Sequence, residues 1–141
     1  MLRYRYPLAR KGSADSFILI DSIGFIEDLS PIPLNVFHTT LNELANSDLI
    51  LLLVDGSDTL QAARRKLSTS HDVMGKEISG VPVLICVSKV DAASREHLDN
   101  ILEETHKIFT AEVVEISSKT GANVPGLLQK IAERLNAPLS S

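Results

Sequence analysis

The sequence of 141 residues contains no tryptophan, a single cysteine and few aromatic side chains (4%). Because Cys86 has no second cysteine to pair with, an internal disulfide framework is excluded, and we expect a small buried thiol inside an apolar run. No apolar stretch approaches the roughly 18 to 20 residues of a membrane span, and residues 1–6 do not resemble a secretory signal. These absences predict a cytoplasmic protein with no membrane partner.

Neither sign of charge dominates the chain. It has 14 basic and 18 acidic residues, with a formal net charge of −4 and a pI near 5.5, so a general electrostatic surface for nucleic acid is missing. We therefore expect no direct binding to DNA. With 44% hydrophobic residues, the chain has the composition of one globular domain and is too short for two.

The first twenty residues show the pattern of two strands. Residues 2–8 alternate between apolar and polar side chains, which is the period of a half-buried strand, and Pro7 favours a position at a sheet edge. A polar loop containing Gly12 leads into the apolar run of residues 17–20. The simplest prediction is an antiparallel hairpin over residues 1–20.

Three continuous apolar runs follow, at residues 49–54, 81–87 and 113–116, and segments with helical periodicity separate them. Continuous hydrophobicity is typical of strands that are covered on both faces, as in a parallel sheet. The predicted fold class is therefore α/β: a mostly parallel sheet with an antiparallel N-terminal edge hairpin, flanked by helices.

Polar residues follow every predicted strand of this sheet. They form the segments 21–24, 55–58, 88–91 and 117–121. In open α/β sheets, ligands bind beyond the carboxyl ends of the strands. These four segments are therefore the candidate functional loops.

The first of these loops holds Asp21 and, three residues later, Gly24. Asp21 could serve a phosphate-bound Mg²⁺ through water, and the backbone N–H of Gly24 could approach a terminal phosphate closely. The alternative is an ordinary turn in which Asp21 is a cap and Gly24 supplies an unusual backbone angle.

The third and fourth loops suggest recognition of a base. Asp91 could accept two hydrogen bonds from the N1–H and N2–H₂ edge of guanine, and the stem of Lys89 could lie over the ring. The alternative is a surface ion pair or a helix cap. Residues 117–119 could place backbone N–H groups against a guanine carbonyl oxygen, although alone they indicate only a turn.

The order and spacing of these loops resemble the translation-factor-like P-loop GTPases, and more narrowly the HflX family. Residues 21–29 (DSIGFIEDL) and 37–44 (FHTTLNEL) resemble the family stretch DTVGFIxDLP…FxxTLEE. Residues 48–58 (DLILLLVDGSD) are similar to the family's ADLLLHVVDASD. Residues 88–91 (SKVD) stand where the guanine-specificity motif NKxD falls, and residues 117–121 (SSKTG) stand where the family has S-A-x-T-G.

The resemblance implies a guanine nucleotide, GTP or GDP, and Mg²⁺ as ligands. It makes Asp21 the aspartate near Mg²⁺ and Gly24 the γ-phosphate contact of switch II. It implies a base site at the third and fourth loops, with Asp91 reading the guanine edge, Lys89 covering the ring, Ser88 at the asparagine position, and Ser117, Ser118 and Lys119 closing the pocket. It also implies the large ribosomal subunit as a partner.

The chain departs from the family pattern on the phosphate side. The motif G-x-x-x-x-G-K-[ST] is absent from the 141 residues, and no threonine precedes Thr39 to serve as the switch I threonine. Phe25 stands where many relatives carry a glutamine that orients water. These departures predict a truncated or degenerate G domain over residues 1–141, made of the hairpin (1–20), a switch II-like segment and helix (21–46), and a base-binding half (47–141).

Two other functions remain open from the residues. A non-enzymatic module could keep the G-domain fold and contact the ribosome or another protein. A phosphoacceptor signalling domain could use Asp55 at the end of one buried strand and Lys89 at the end of a later one, but it would leave the resemblance of residues 21–44 unexplained. A base pocket without a phosphate-binding loop should bind GDP weakly or not detectably.

Overall fold

The computed structural model describes residues 2–7, 16–21, 34–78 and 80–135. Its elements, in chain order, are β1 (Leu2–Pro7), β2 (Ser16–Asp21), α1 (Leu34–Ala45), β3 (Ile50–Asp55), α2 (Leu60–Glu77), β4 (Val83–Ser88), α3 (Arg95–Ile108), β5 (Glu112–Glu115) and α4 (Val124–Leu135). A single 3₁₀ turn, Val90–Ala92, joins β4 to α3. Strands alternate with helices from β3 onward, so the α/β prediction is confirmed.

The strands β3, β4 and β5 form a parallel sheet in that order. The register pairs Asp55 with Ser88 and Val87 with Glu115, so the three strands end at the same edge of the sheet. Each connection between neighbouring strands contains a helix, as a parallel arrangement requires. The loops that follow these strands are therefore neighbours in space.

The N-terminal strands β1 and β2 pair antiparallel, from Leu2 opposite Asp21 to Pro7 opposite Ser16. They form a two-stranded sheet of their own, separate from β3–β5. The prediction that this hairpin is the edge of the parallel sheet is therefore not borne out. In the described ranges, neither strand hydrogen-bonds to β3 or β5. The physical reason is that β1 and β2 satisfy the facing backbone groups of each other, so this pairing does not require an edge of the parallel sheet.

The parallel sheet is packed on both faces. One face carries alternate residues of β3 (Ile50, Leu52 and Val54) against α2 and α3, and the other carries Leu84 and Cys86 of β4 against α4. Cys86 is fully buried, which confirms the expected buried thiol, and burial raises its pKa to about 11. The sheet is thus a rigid support for the loops at its carboxyl edge.

The outer edge of the sheet is less covered. Leu53 of β3 is 62% exposed, although it lies in a run of apolar residues. Its neighbours in sequence, Leu52 and Val54, point to the opposite face and are buried, because side chains alternate along a strand.

Among the helices in the described ranges, none combines the length and the hydropathy that a membrane-spanning helix needs.

Candidate functional site

The carboxyl ends of β3 and β4 are held close together by backbone contacts. The N–H of Gly56 donates to the carbonyl of Ser88 at 2.8 Å, and the Ser88 hydroxyl lies 3.3 Å from the carbonyl of Val54. A Cβ at position 56 would lie 2.5 Å from the Ser88 carbonyl oxygen, so this close approach requires glycine. Ser88 therefore ties the third loop to β3.

Lys89 turns the chain sharply after β4. Its backbone is left-handed (φ 57°, ψ 36°), which is uncommon for a residue with a side chain, and its carbonyl accepts from Ala92 at 3.0 Å in the 3₁₀ turn. The next residue, Val90, donates to the carbonyl of Ile116 at 3.2 Å. That bond joins the third loop to the end of β5.

Asp91 and Ser117 connect the third and fourth loops directly. The Ser117 hydroxyl donates to Oδ1 of Asp91 at 2.7 Å, and this bond lowers the pKa of the exposed Asp91 carboxyl. Ser117 itself is fully buried, and its hydroxyl also accepts from the N–H of Thr120 at 3.1 Å. Because the buried Ser117 hydroxyl both donates and accepts a hydrogen bond, it is fixed, and it holds the exposed Asp91 carboxylate in one place.

The fourth loop folds around Ser117. The Ser117 N–H donates to Ala122 at 3.0 Å, and its carbonyl accepts from Gly121, whose φ of 80° suits glycine, at 2.8 Å. Ser118 and Lys119 lie at the exposed tip of this loop. Within the described part of the chain their backbone N–H groups donate no hydrogen bond, so they point to no internal acceptor.

Lys89 forms an ion pair with Asp55 across the ends of β3 and β4. Its Nζ donates to Oδ2 of Asp55 at 2.8 Å, while Oδ1 of Asp55 accepts from both the N–H and the hydroxyl of Ser57, at 2.8 and 2.6 Å. Burial raises the pKa of the Asp55 carboxyl, but the bonds from Lys89 and Ser57 outweigh burial and lower it to about 2. Hydrogen bonding to Asp55 raises the pKa of Lys89.

Arg95 braces the same edge of the sheet from the start of α3. Its guanidinium makes two bonds of 2.8 Å to the carboxylate of Glu115 and a third to Asp99 on its own helix. The helix begins at Ser94, whose hydroxyl accepts from the N–H of His97 at 3.1 Å as an N-cap. The start of α3 is therefore fixed against the end of β5.

We call Asp55, Lys89, Asp91, Ser117 and the loop 118–121 the strand-end cluster. The structure brings together the sequence-predicted residues Ser88, Lys89, Asp91, Ser117, Ser118 and Lys119 at one edge of the sheet. Asp55 was missing from the predicted binding residues. The signal that identifies it is the register, since Asp55 and Ser88 are paired ends of adjacent strands.

The predicted phosphate and metal residues, Asp21 and Gly24, stand at and just after the end of β2 in the sequence. Asp21 ends β2, with only its backbone described, and Gly24 lies outside the described residues. Among the described residues, no group of three or more histidine, cysteine, aspartate or glutamate side chains could hold a metal ion.

Solved structures define the class of the fold. The chain superposes on an SsGBP variant with a TM-score of 0.75 (24% identity, 93% of this chain and 45% of that one). It also superposes on Era in complex with MgGDPNP and 16S ribosomal RNA with a TM-score of 0.64 (20% identity, 97% and 46%). For elongation factor SelB of Methanococcus maripaludis with a GTP analogue, the TM-score is 0.58 (21% identity, 96% and 28%). The fold is that of a P-loop GTPase G domain.

Sequence relatives narrow this class. The chain is 34% identical to GTPase HflX of Methanocaldococcus jannaschii over 133 residues, which are 94% of this chain and 33% of that protein. It is 34% identical over 130 residues to GTPase HflX of Thermofilum pendens (88% and 29%). No family model matches the chain. Over most of its length the chain is similar to the HflX-type GTPases, and it spans about a third of the length of these relatives.

Proposed function

We propose that this chain binds guanine nucleotides through the strand-end cluster and forms the base-binding part of an HflX-type G domain. The observation that carries the proposal is the bond between the buried Ser117 hydroxyl and the exposed Asp91 carboxylate. A carboxylate held in one place is prepared to accept two hydrogen bonds from the N1–H and N2–H₂ groups of guanine. Adenine presents no such pair of donors on that edge.

The tip of the fourth loop supplies the complementary half of the base site. The exposed N–H groups of Ser118 and Lys119, which have no internal acceptor in the described ranges, could bond the O6 carbonyl of guanine. Adenine carries an amino group at that position, which cannot accept these bonds. In this proposal, the two loops together select guanine: the Asp91 carboxylate accepts two hydrogen bonds from the base, and the N–H groups of Ser118 and Lys119 donate to it.

The phosphate side of the site rests on residues outside the strand-end cluster. We propose Asp21 as the residue near a phosphate-bound Mg²⁺ and Gly24 as the γ-phosphate contact, following the family stretch that residues 21–29 resemble. Mg²⁺ would neutralise phosphate charge when bound. We propose that GTP hydrolysis is an activity of the intact HflX-type architecture. Phe25 cannot orient a nucleophilic water, so any hydrolysis needs another group to position water.

The test of guanine binding is a titration of the chain with GDP and, separately, with ADP, followed by NMR. We expect chemical-shift changes at the strand-end cluster with GDP that saturate, and a weaker response to ADP. Asp91→Asn should reduce the difference between the two nucleotides, because an amide offers only one acceptor oxygen. Asp72→Asn, which changes an exposed aspartate of α2, is the matched control. Equal binding of both nucleotides, or binding of neither, would contradict the proposal.

A second proposal concerns partners and location. We propose association with the large ribosomal subunit in the cytoplasm on the basis of the resemblance to the HflX family; the solved structure of Era, which shares the fold of this chain, contains 16S ribosomal RNA, an RNA of the small subunit. If the chain is a non-enzymatic module of this fold, it should sediment with ribosomal large subunits whether or not GTP is added. A strict requirement for nucleotide would instead favour a nucleotide-controlled GTPase.

A further inference from the structure

Asp55 lies at the edge of the proposed base site, but outside the two segments, 88–91 and 117–121, from which that site was predicted. It is the last residue of β3, and its side chain reaches across the sheet edge to the first residue after β4. The distance from Lys89 Nζ to Asp55 Oδ2 is 2.8 Å. Asp55 is therefore in contact with Lys89, the residue whose stem is proposed to cover the guanine ring.

The Asp55 carboxylate is itself held in place. Both hydrogen bonds to its Oδ1 come from Ser57, one from the backbone N–H at 2.8 Å and one from the hydroxyl at 2.6 Å. This leaves Oδ2 directed to Lys89. Because the backbone of Lys89 is fixed in the left-handed region by the 3₁₀ turn, the ion pair fixes the far end of a side chain whose base is already fixed.

The pair is too exposed to serve mainly as a stabiliser of the fold. The side chain of Lys89 is 59% exposed and that of Asp55 is 30% exposed. Ion pairs in such solvated positions contribute little to stability, since water competes with the partner. A lysine stem with both ends fixed, however, loses less rotamer freedom when a flat ligand packs against it.

From this geometry we propose that Asp55 is a positioning residue for the base site: it holds the Lys89 stem extended along the face where a guanine ring would pack. Asp55 does not touch the nucleotide in this arrangement. The inference rests on the proposed guanine binding at the strand-end cluster. It assigns the end of β3 a role in nucleotide affinity that acts through Lys89.

The test combines Asp55→Asn, Lys89→Met and the double variant in the NMR titration with GDP. We expect each single variant to raise the dissociation constant for GDP about threefold to tenfold, and the double variant to show no further loss, because both changes remove the same contact. Asp72→Asn is again the control for charge. Each variant should stay folded with a cooperative urea transition and lose only the modest stability of a solvated ion pair, so that the loss of GDP affinity reflects positioning and not unfolding.

The outcomes distinguish this inference from the proposed function. If the unsubstituted chain does not prefer GDP to ADP, the proposed function fails and the inference fails with it. If the chain prefers GDP and Asp91→Asn reduces that preference, but Asp55→Asn binds GDP normally, only the role of Asp55 is overturned. Losses of Asp55→Asn and Lys89→Met that simply add in the double variant would also overturn it.

The ion pair itself can be checked without nucleotide. The ¹³C resonance of the Asp55 carboxyl should titrate well below the ordinary aspartate value of 3.8 in the unsubstituted chain, and Lys89→Met should move its midpoint upward. A midpoint that is unaffected by Lys89→Met would show that the two groups do not pair in solution, and it would overturn the inference.

Discussion

Ser117 joins two loops of the strand-end cluster, because its hydroxyl donates to Asp91 and accepts from the N–H of Thr120. Ser117→Ala removes both bonds at a fully buried position. We expect it to lower the free energy of unfolding by about 1 to 3 kcal/mol, the usual cost of breaking a buried hydrogen bond. The pKa of Asp91 should rise toward its ordinary value. Urea denaturation and NMR titration measure the two effects.

Ser118→Ala is the control for this prediction. Ser118 is exposed, and the same loss of a hydroxyl there should change the free energy of unfolding by less than about 0.5 kcal/mol. If Ser117→Ala were as stable as Ser118→Ala, with the pKa of Asp91 unmoved, then the bond between the two loops would not exist in solution.

Asp55 makes the stability of the fold depend on acid pH. Its pKa in the folded chain is about 2, below the ordinary value of 3.8, so the folded state binds this proton less readily than the unfolded state. The stabilisation is complete above about pH 4 and is lost as the pH falls through 2. Asp55→Asn should therefore flatten the dependence of stability on pH between 4 and 2. Urea unfolding at several pH values checks this, and a slope unchanged by the substitution would contradict it.

A substitution in a helix that covers the sheet should lower the free energy of unfolding more than a substitution at an exposed position of the edge strand β3. Ile101 of α3 is fully buried in the core between α3 and the sheet, whereas Leu53 of β3 is 62% exposed. Ile101→Ala should lower the free energy of unfolding by about 2 to 5 kcal/mol, because it leaves a cavity. Leu53→Ala should change it by less than about 0.5 kcal/mol. Thermal or urea unfolding of both variants tests the contrast, and similar losses would mean that Leu53 is covered in solution.

The strands were the most predictable elements of the fold. The apolar runs at 49–54 and 113–116 match β3 (Ile50–Asp55) and β5 (Glu112–Glu115) within one residue. Continuous hydrophobicity also predicted the parallel arrangement, because only strands covered on both faces need it. The separate sheet of β1 and β2 was not predictable, since alternation shows that a strand is half buried without showing what covers it.

The contacts within the strand-end cluster were harder to predict than its position. The sequence places Lys89 and Asp91 after one strand and Ser117 after the next, and the rule for ligand sites in α/β sheets brings these loops together. The register of β3 against β4 decides that Lys89 meets Asp55, and register depends on packing across the whole sheet. Spacing along the chain carries no such information.

The whole chain has a proposed base site but lacks the motif that most P-loop proteins use for phosphate. Its 141 residues contain no G-x-x-x-x-G-K-[ST], and the described residues assembled at the strand ends are those proposed to bind the base. Since backbone N–H groups of that motif supply most of the affinity for phosphates, we expect this chain to bind GDP with a dissociation constant on the order of 1 mM.

The same distribution of residues predicts how affinity depends on the phosphates. Guanosine, GMP and GDP should bind this chain with dissociation constants within about threefold of one another, and replacing Mg²⁺ by EDTA should not change them, because the base supplies the shared contacts. NMR titrations with the three ligands, each with and without Mg²⁺, measure this directly. Tenfold tighter binding of GDP than of guanosine, lost with EDTA, would instead show that phosphate and Mg²⁺ contacts add substantial affinity without the G-x-x-x-x-G-K-[ST] motif, and Asp21 would be the first residue to substitute in locating them.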